Sequence, residues 1–243
     1  MKKNLYKYLA GNEYPGRGIC IGKTPGGTKA MIAYFIMGRS VNSRNRIFDP
    51  IEGGIRTMAA DPSKMTDPHL IIYNPVLTLN YTTIVTNGDQ TNTIYDFISR
   101  NDFPGYGFEA ALATRTFEDD RPNWTPRISG VVDMSIGGYK LSILKSDDGN
   151  EKSVQRFTFD FPEPPAGEGH FISTYKCNGN TIPSFVGEPL RVSMDEEDPD
   201  KYAAKLWKAL NEDNKVSLFV RAIELATRTY KDVIINKYKI VEG

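Results

Sequence analysis

The stretch Tyr34-Phe35-Ile36-Met37-Gly38-Arg39-Ser40-Val41-Asn42-Ser43-Arg44-Asn45-Arg46 decides how the rest of the chain is read. Its apolar half reads as the end of a buried strand, and Gly38 interrupts it. Arg39, Arg44 and Arg46 follow at once, interleaved with Ser40, Asn42, Ser43 and Asn45. Guanidinium is planar, permanently charged and binds phosphate or carboxylate with two parallel donors. Serine and asparagine add short donors and favour the turn that gathers the arginines. A strand end of this kind suits an anion. Alone, such a loop is more often a solvated basic turn, because exposed arginine is common.

Outward from this stretch the chain reads as strands joined by tight turns. Arg17–Lys23 and Lys29–Met37 form a hairpin across Thr24-Pro25-Gly26-Gly27-Thr28, preceded by a polar lead-in over residues 1–16. Gly22-Lys23-Thr24 is not a phosphate loop. That motif needs a glycine where Arg17 stands and a helix where Pro25-Gly26-Gly27 stands. Residues 47–68, with Pro50, Gly53-Gly54, Pro62 and Pro68, read as an irregular flap or ordered loop. Strands are expected over Leu70–Leu79, bent or at an edge at Pro75, and over Thr82–Thr86. Helices are expected over Thr93–Arg100 and Pro104–Thr116, with Ile94, Phe97 and Ile98 on one face of the first. Further strands run over Ile128–Met134, Tyr139–Lys145, Val154–Phe161, Phe171–Tyr175 and Leu190–Ser193. A helix opens at Asp198-Pro199 and buries Tyr202, Leu206, Trp207 and Leu210. Alternation at Val216/Leu218/Val220 and Val233/Ile235 predicts a closing hairpin across Ala226–Thr229. About ten antiparallel strands with grouped helices make an α+β fold, read as one domain over residues 1–243.

Composition narrows the chemistry. The chain has 243 residues, 40% hydrophobic and 25% charged, ordinary for a soluble globular protein. Thirty basic and thirty acidic side chains cancel, so no global field draws nucleic acid or an anionic membrane, and an anion site must be a local cluster. Cys20 and Cys177 make neither a disulfide framework nor a zinc site. No signal sequence or apolar run of membrane-spanning length stands out, so a cytoplasmic protein is expected. His69 and His170 are too few for a histidine triad or metal cluster, and His69 reads as structural. GxSxG and a strand-following GxGxxG are absent, and so is an N-terminal Cys, Ser or Thr. Arginines, tyrosines, carboxylates and asparagines remain: a site for binding and proton transfer, without metal.

Four blocks then carry a resemblance: Arg39-Ser40…Asn42-Ser43-Arg44; Ile72-Tyr73-Asn74; Val85-Thr86-Asn87-Gly88; and Phe117-Glu118-Asp119…Thr125-Pro126-Arg127-Ile128…Gly130-Val131-Val132-Asp133. In order and spacing they resemble the archaeal-type IMP cyclohydrolase family over about residues 17 to 135. Where archaeal members have a cysteine after Tyr-Asn and an arginine soon after, this chain has Pro75 and Leu77. The resemblance implies a four-layer αββα sandwich similar to the N-terminal-nucleophile hydrolases, without their self-processing. It implies closure of the formylated aminoimidazole carboxamide ribonucleotide to IMP with loss of water, and it needs no cofactor. It places the catalytic residues on Arg44, Tyr73 and Glu118. Arg39, Arg46 and Arg127 become candidates for phosphate or base contacts, with Ser40 and Asn42 beside them. Asn74, Asn87 and Gly88 become candidates for ring or ribose contacts. The expected partner is a small purine ribonucleotide, with no nucleic acid and no membrane. A homo-oligomer is allowed, since oligomeric state is not legible in the sequence. The alternative is a non-catalytic purine-nucleotide-binding or regulatory protein on the same scaffold. An amidohydrolase for other small amides would share the fold but lacks its nucleophile.

Overall fold

β1 (Arg17–Lys23) and β2 (Lys29–Met37) form the expected hairpin, paired from Arg17↔Ile36 to Lys23↔Ala30. Gly27 sits in its turn at φ +71, a conformation that side chains resist. The computed structural model describes residues 2–66, 68, 71–100 and 104–240, and in it both strands are buried along nearly their whole length. His69 and Leu70, the latter the expected start of a strand, lie outside the described residues, as does Asp67.

The hairpin is the centre of a six-stranded antiparallel sheet. β10 (Glu168–Ser173) and β11 (Leu190–Ser193) extend it beyond β1, and β12 (Lys215–Glu224) and β13 (Tyr230–Asn236) extend it beyond β2. A second antiparallel sheet of seven strands runs in chain order. It comprises β3 (Ile47–Ile51), β4 (Gly54–Met58), β5 (Val76–Leu79), β6 (Thr82–Thr86), β7 (Arg127–Asp133), β8 (Tyr139–Asp147) and β9 (Asn150–Phe161).

Period-two alternation sorts side chains between cores. On β2, Ile32, Tyr34 and Ile36 enter a core shared with Val85, Ile128 and Leu141 of the other sheet, so the two sheets pack face to face. Met31, Ala33 and Phe35 point the other way, onto Leu5 and Leu9 of α1 (Leu5–Ala10) and Tyr202 and Leu206 of α5 (Pro199–Ala209). On the seven-stranded sheet, Ile84 and Leu144 pack under α3 (Gln90–Arg100) and α4 (Pro104–Ala113).

Several expectations need correction. The polar lead-in holds α1, whose N-terminus is capped by the Asn4 side chain accepting from Lys7 N–H; Leu5 and Leu9, one helical turn apart, bury its inner face. The 47–68 flap is largely the β3–β4 hairpin. Gly53, at φ +73, makes its turn, and Pro50 is tolerated on the outermost strand. Among the described residues of Leu70–Leu79, only Val76–Leu79 is strand. Residues 71–75 approach it as irregular backbone, because Pro75 offers no ladder donor. The described residues contain thirteen strands, not about ten. The closing hairpin formed as expected, β12 pairing with both β13 and β2.

Candidate active site

Arg17 stands at the head of β1. Gly16 before it has φ +76, and a Cβ there would lie 2.3 Å from Thr174 Oγ1, so only glycine lets the chain enter the strand here. The Arg17 backbone N–H donates to Thr174 Oγ1 at 3.1 Å. Its side chain is buried, and Nη2 donates to both carboxylate oxygens of Glu118 at 2.8 Å. Nε is sealed from solvent with no partner.

Glu118 lies in the connection between α4 and β7, and the folding of that connection sets its position. Its backbone N–H donates to Thr125 O at 2.9 Å. Thr125 in turn donates its backbone N–H to Asp120 Oδ1 at 2.6 Å, and its hydroxyl meets Tyr175 OH at 2.5 Å. Asn87 supports the carboxylate from β6's end. Its Nδ2 donates to Glu118 Oε1 at 3.3 Å and to Pro126 O at 3.0 Å, and its Oδ1 accepts from Ile128 N and Gln90 Nε2. Gln90 Oε1 then accepts from Arg127 Nη1 at 2.7 Å, and Arg127 pairs with Asp89 at 2.8 Å. A Cβ on Gly88 would sit 2.5 Å from Arg127 Nη1, so this close approach requires glycine.

Burial raises the Glu118 pKa above the usual carboxylate range, while Arg17 and then Arg127 pull it back. Burial works against the charge on Arg17, but Glu118 beside it outweighs this and keeps the guanidinium protonated. The Tyr175, Tyr73 and Tyr34 hydroxyls lie within electrostatic reach of the same guanidinium. Tyr34 OH and Tyr73 OH are 2.9 Å apart, both rings buried, and Tyr34 stacks on Phe48. Burial, then Tyr73, pushes the Tyr34 hydroxyl well up, with Arg17 and the buried Arg46 opposing. Tyr73 is fixed through its backbone: its N–H donates to Thr57 Oγ1 and its O accepts from Thr57 N–H, each at 2.9 Å.

The arginine loop folds as α2 (Val41–Arg44), a short helix closed by a reciprocal Ser40/Ser43 cap. Arg44 turns back, Nε donating to Gly38 O at 2.9 Å and Nη2 to Asn214 Oδ1 at 3.2 Å. Arg39 donates to Asn178 Oδ1 and Gly179 O and lies over the Tyr14 ring. Both arginines line a cavity of about 370 Å³ with Lys64, Lys239, Asp61, Tyr238 and the apolar Val41 and Ala60, so four cations and one carboxylate stand on its wall. Asn42 Oδ1 is buried without a partner, and Asn74 Nδ2 donates to Asn92 at 3.3 Å.

Thus the fold gathers Tyr73, Glu118, Asn87 and Arg46 around one buried centre. Arg39 and Arg44 stand on the wall of the cavity, and among the described residues no hydrogen bond joins either to Tyr73 or Glu118. Asn87 has both donors and both lone pairs engaged within the protein, so its place is to support Glu118. Sequence reading missed Arg17, Tyr34 and Tyr175. All three sit in strands or at their ends, where a polar residue carries no local mark of function. The one available signal was a charged residue opening an otherwise buried strand.

Comparison with known proteins agrees with the four sequence blocks. The sequence profile of the family described as IMP cyclohydrolase-like protein matches residues 14–228. The IMP cyclohydrolase of Methanopyrus kandleri is 27% identical over 186 residues, covering 76% of this chain and 84% of its own length. That of Methanococcus aeolicus is 26% identical over 166 residues, covering 68% and 75%.

Proposed function

The chain belongs to the IMP cyclohydrolase-like family, and from that premise we propose that it closes 5-formamidoimidazole-4-carboxamide ribonucleotide to IMP with loss of water, the final step of de novo purine synthesis. One observation carries the reading. A buried carboxylate, Glu118, and a buried hydroxyl pair, Tyr73–Tyr34, share the surroundings of a single guanidinium, which sets a proton acceptor beside a proton donor.

The reaction joins a carboxamide nitrogen to a formyl carbon of the same molecule. The enzyme must fold the substrate into attack geometry and move protons, and no step calls for a cofactor. Glu118 takes a proton from the carboxamide nitrogen as that nitrogen attacks the formyl carbon. Tyr73 gives the formyl oxygen a proton, resupplied across the 2.9 Å contact with Tyr34. The hydroxyl so formed leaves as water with the proton of the formamido nitrogen, and the ring C=N forms to that nitrogen. Arg44 stabilises negative charge developing on the formyl oxygen. The 5′-phosphate lies toward the cationic cavity, met by Arg39 and by Lys64 and Lys239, which sequence reading did not single out. Arg46, Ser40 and Asn42 border that cavity's helix, while Arg127, Asn74 and Gly88 bound the ring and ribose end. The scaffold is read as a single domain over residues 1–243, a four-layer αββα sandwich similar to the N-terminal-nucleophile hydrolases and working in the cytoplasm. Its support is the pair of facing sheets with α1 and α5 on one outer side and α3 and α4 on the other.

The test is to mix purified protein with the formylated ribonucleotide and follow IMP by ultraviolet absorbance and chromatography. Wild-type protein is expected to form IMP, and Tyr73→Phe or Glu118→Gln to lower kcat by about 10²-fold or more with the fold intact. Near-native turnover in both variants would remove these roles. Tight binding of IMP without turnover would replace the enzyme by a nucleotide-binding regulator.

A further inference from the structure

Glu118 offers roughly four lone-pair directions, as any carboxylate does. Arg17 takes one on each oxygen and Asn87 takes one more on Oε1, which leaves Oε2 with an open acceptor site. On the partner side, Arg17 Nη2 is fully engaged by the carboxylate. Arg17 Nη1 has no hydrogen-bond partner among the described residues, and it is not among the sealed orphan atoms, unlike Nε. The pair therefore keeps the donors of Nη1 and one acceptor direction of Oε2 uncommitted, with the Tyr73 and Tyr34 hydroxyls within electrostatic reach of the same guanidinium. A primary amide offers the complement: a carbonyl acceptor next to an N–H donor.

Resting on the cyclohydrolase reading, we propose that Arg17 is a further catalytic residue, whose Nη1 donates to the oxygen of the substrate's primary carboxamide while Oε2 of Glu118 receives the N–H of the same group. The paired contacts select the rotamer that turns the amide nitrogen toward the formyl carbon. As that nitrogen loses its proton to Glu118, negative charge spreads onto the carboxamide oxygen, and the guanidinium contact strengthens as it does. Electrons then move from nitrogen to the formyl carbon and from the formyl C=O to its oxygen, which is protonated by Tyr73. Arg17 itself is unchanged. Arg44, on the cavity side, serves the other oxygen. The Arg17–Glu118 bridge is thus a reading head for an amide, more than a buried structural ion pair.

The experiment compares wild type with Arg17→Ala and Arg17→Lys in the IMP-forming assay, with near-ultraviolet circular dichroism confirming the fold. Arg17→Ala is expected to lose about 10²-fold or more in kcat, the size of removing one preorganised donor, with a smaller change in KM. Added guanidinium ion should recover part of that rate. The acid limb of its kcat/KM profile should move to higher pH, because Glu118 loses its neighbouring charge. Arg17→Lys keeps a charge but lacks the fork, so its limb should stay near wild type while kcat still falls. If Arg17→Ala does not fold, Arg17→Lys carries the test alone. Folded variants with wild-type kcat, or a loss confined to thermal stability, would overturn the proposal and leave the cyclohydrolase reading standing. A wild-type protein that forms no IMP would sink that reading, and the role of Arg17 with it.

Discussion

Glu118 shows how one residue's chemistry is set by its surroundings. Burial favours the neutral acid, and the guanidinium of Arg17 opposes that. A base must be ionised to accept a proton, so activity should fall as pH drops through the raised pKa. The acid limb of wild-type kcat/KM is therefore expected above about 4.3, the value of an unperturbed glutamate. A limb at or below that value would show that Glu118 is not the titrating base. The linkage to stability has the opposite sign. A carboxyl whose folded pKa is raised contributes stability below its unfolded pKa and loses it as pH rises through the folded value. Arg17 limits that loss, which is a second reason to keep the pair. At this scale the sequence was only half legible. Glu118 and Tyr73 stood in recognisable blocks, but Arg17 lies 101 positions from its partner and resembles any strand's first residue.

At the scale of elements, α2 decides where the arginines go. Ser43 N–H donates to Ser40 Oγ at 3.1 Å and Ser40 N–H to Ser43 Oγ at 3.0 Å, closing a helix of four residues. The helix folds back so tightly that a Cβ on Gly38 would lie 2.7 Å from Ser43 C and O. This return is what brings Arg44 to Gly38 O and to the cavity wall. Ser40→Ala removes the cap at about 1 kcal/mol. In a helix this short the effect should appear locally, as a severalfold rise in KM with kcat and fold largely retained. Steady-state kinetics beside chemical denaturation checks this, and an unchanged KM would separate α2 from substrate binding. The loop's composition suggested a turn that gathers three arginines; Arg39 and Arg44 share the cavity wall, while Arg46 is buried outside its lining. Composition could not show that the turn would be helical, because four residues carry too little periodicity to register.

Across the whole molecule, Arg221 ties the two sheets together. It is 0% exposed and sits on β12 of the six-stranded sheet. Its Nη1 donates to Thr78 Oγ1 on β5 of the other sheet at 2.6 Å, and its Nε and Nη2 donate to Asp232 on β13 at 2.7 Å. The Tyr230 ring lies 3.6 Å from the guanidinium carbon. Asp232 is exposed, so removing Arg221 leaves no buried charge unpaired, and the loss is that of the charge-assisted hydrogen bonds, about 1.5–3 kcal/mol. Arg221→Met should lower the free energy of unfolding by that order in chemical denaturation. A loss under about 1 kcal/mol would show that apolar packing between the sheets suffices without the clamp.

The amino-acid sequence by itself determined the strands and their hairpins, because alternation and glycine turns are properties of neighbouring residues. It also determined the family, through blocks that each lie within a short span, and the presence of a cationic loop after β2. Tertiary structure alone decided which arginine meets Glu118, that Tyr34 backs Tyr73, and that Arg221 bridges the sheets. It also turned residues 47–58 from apparent loop into an outer hairpin, since Ile55 pairs with Val76 of β5. The physical reason is separation along the chain. Local patterns follow from backbone geometry over a few residues, whereas these contacts arise only when two sheets stack and close the distance between their residues.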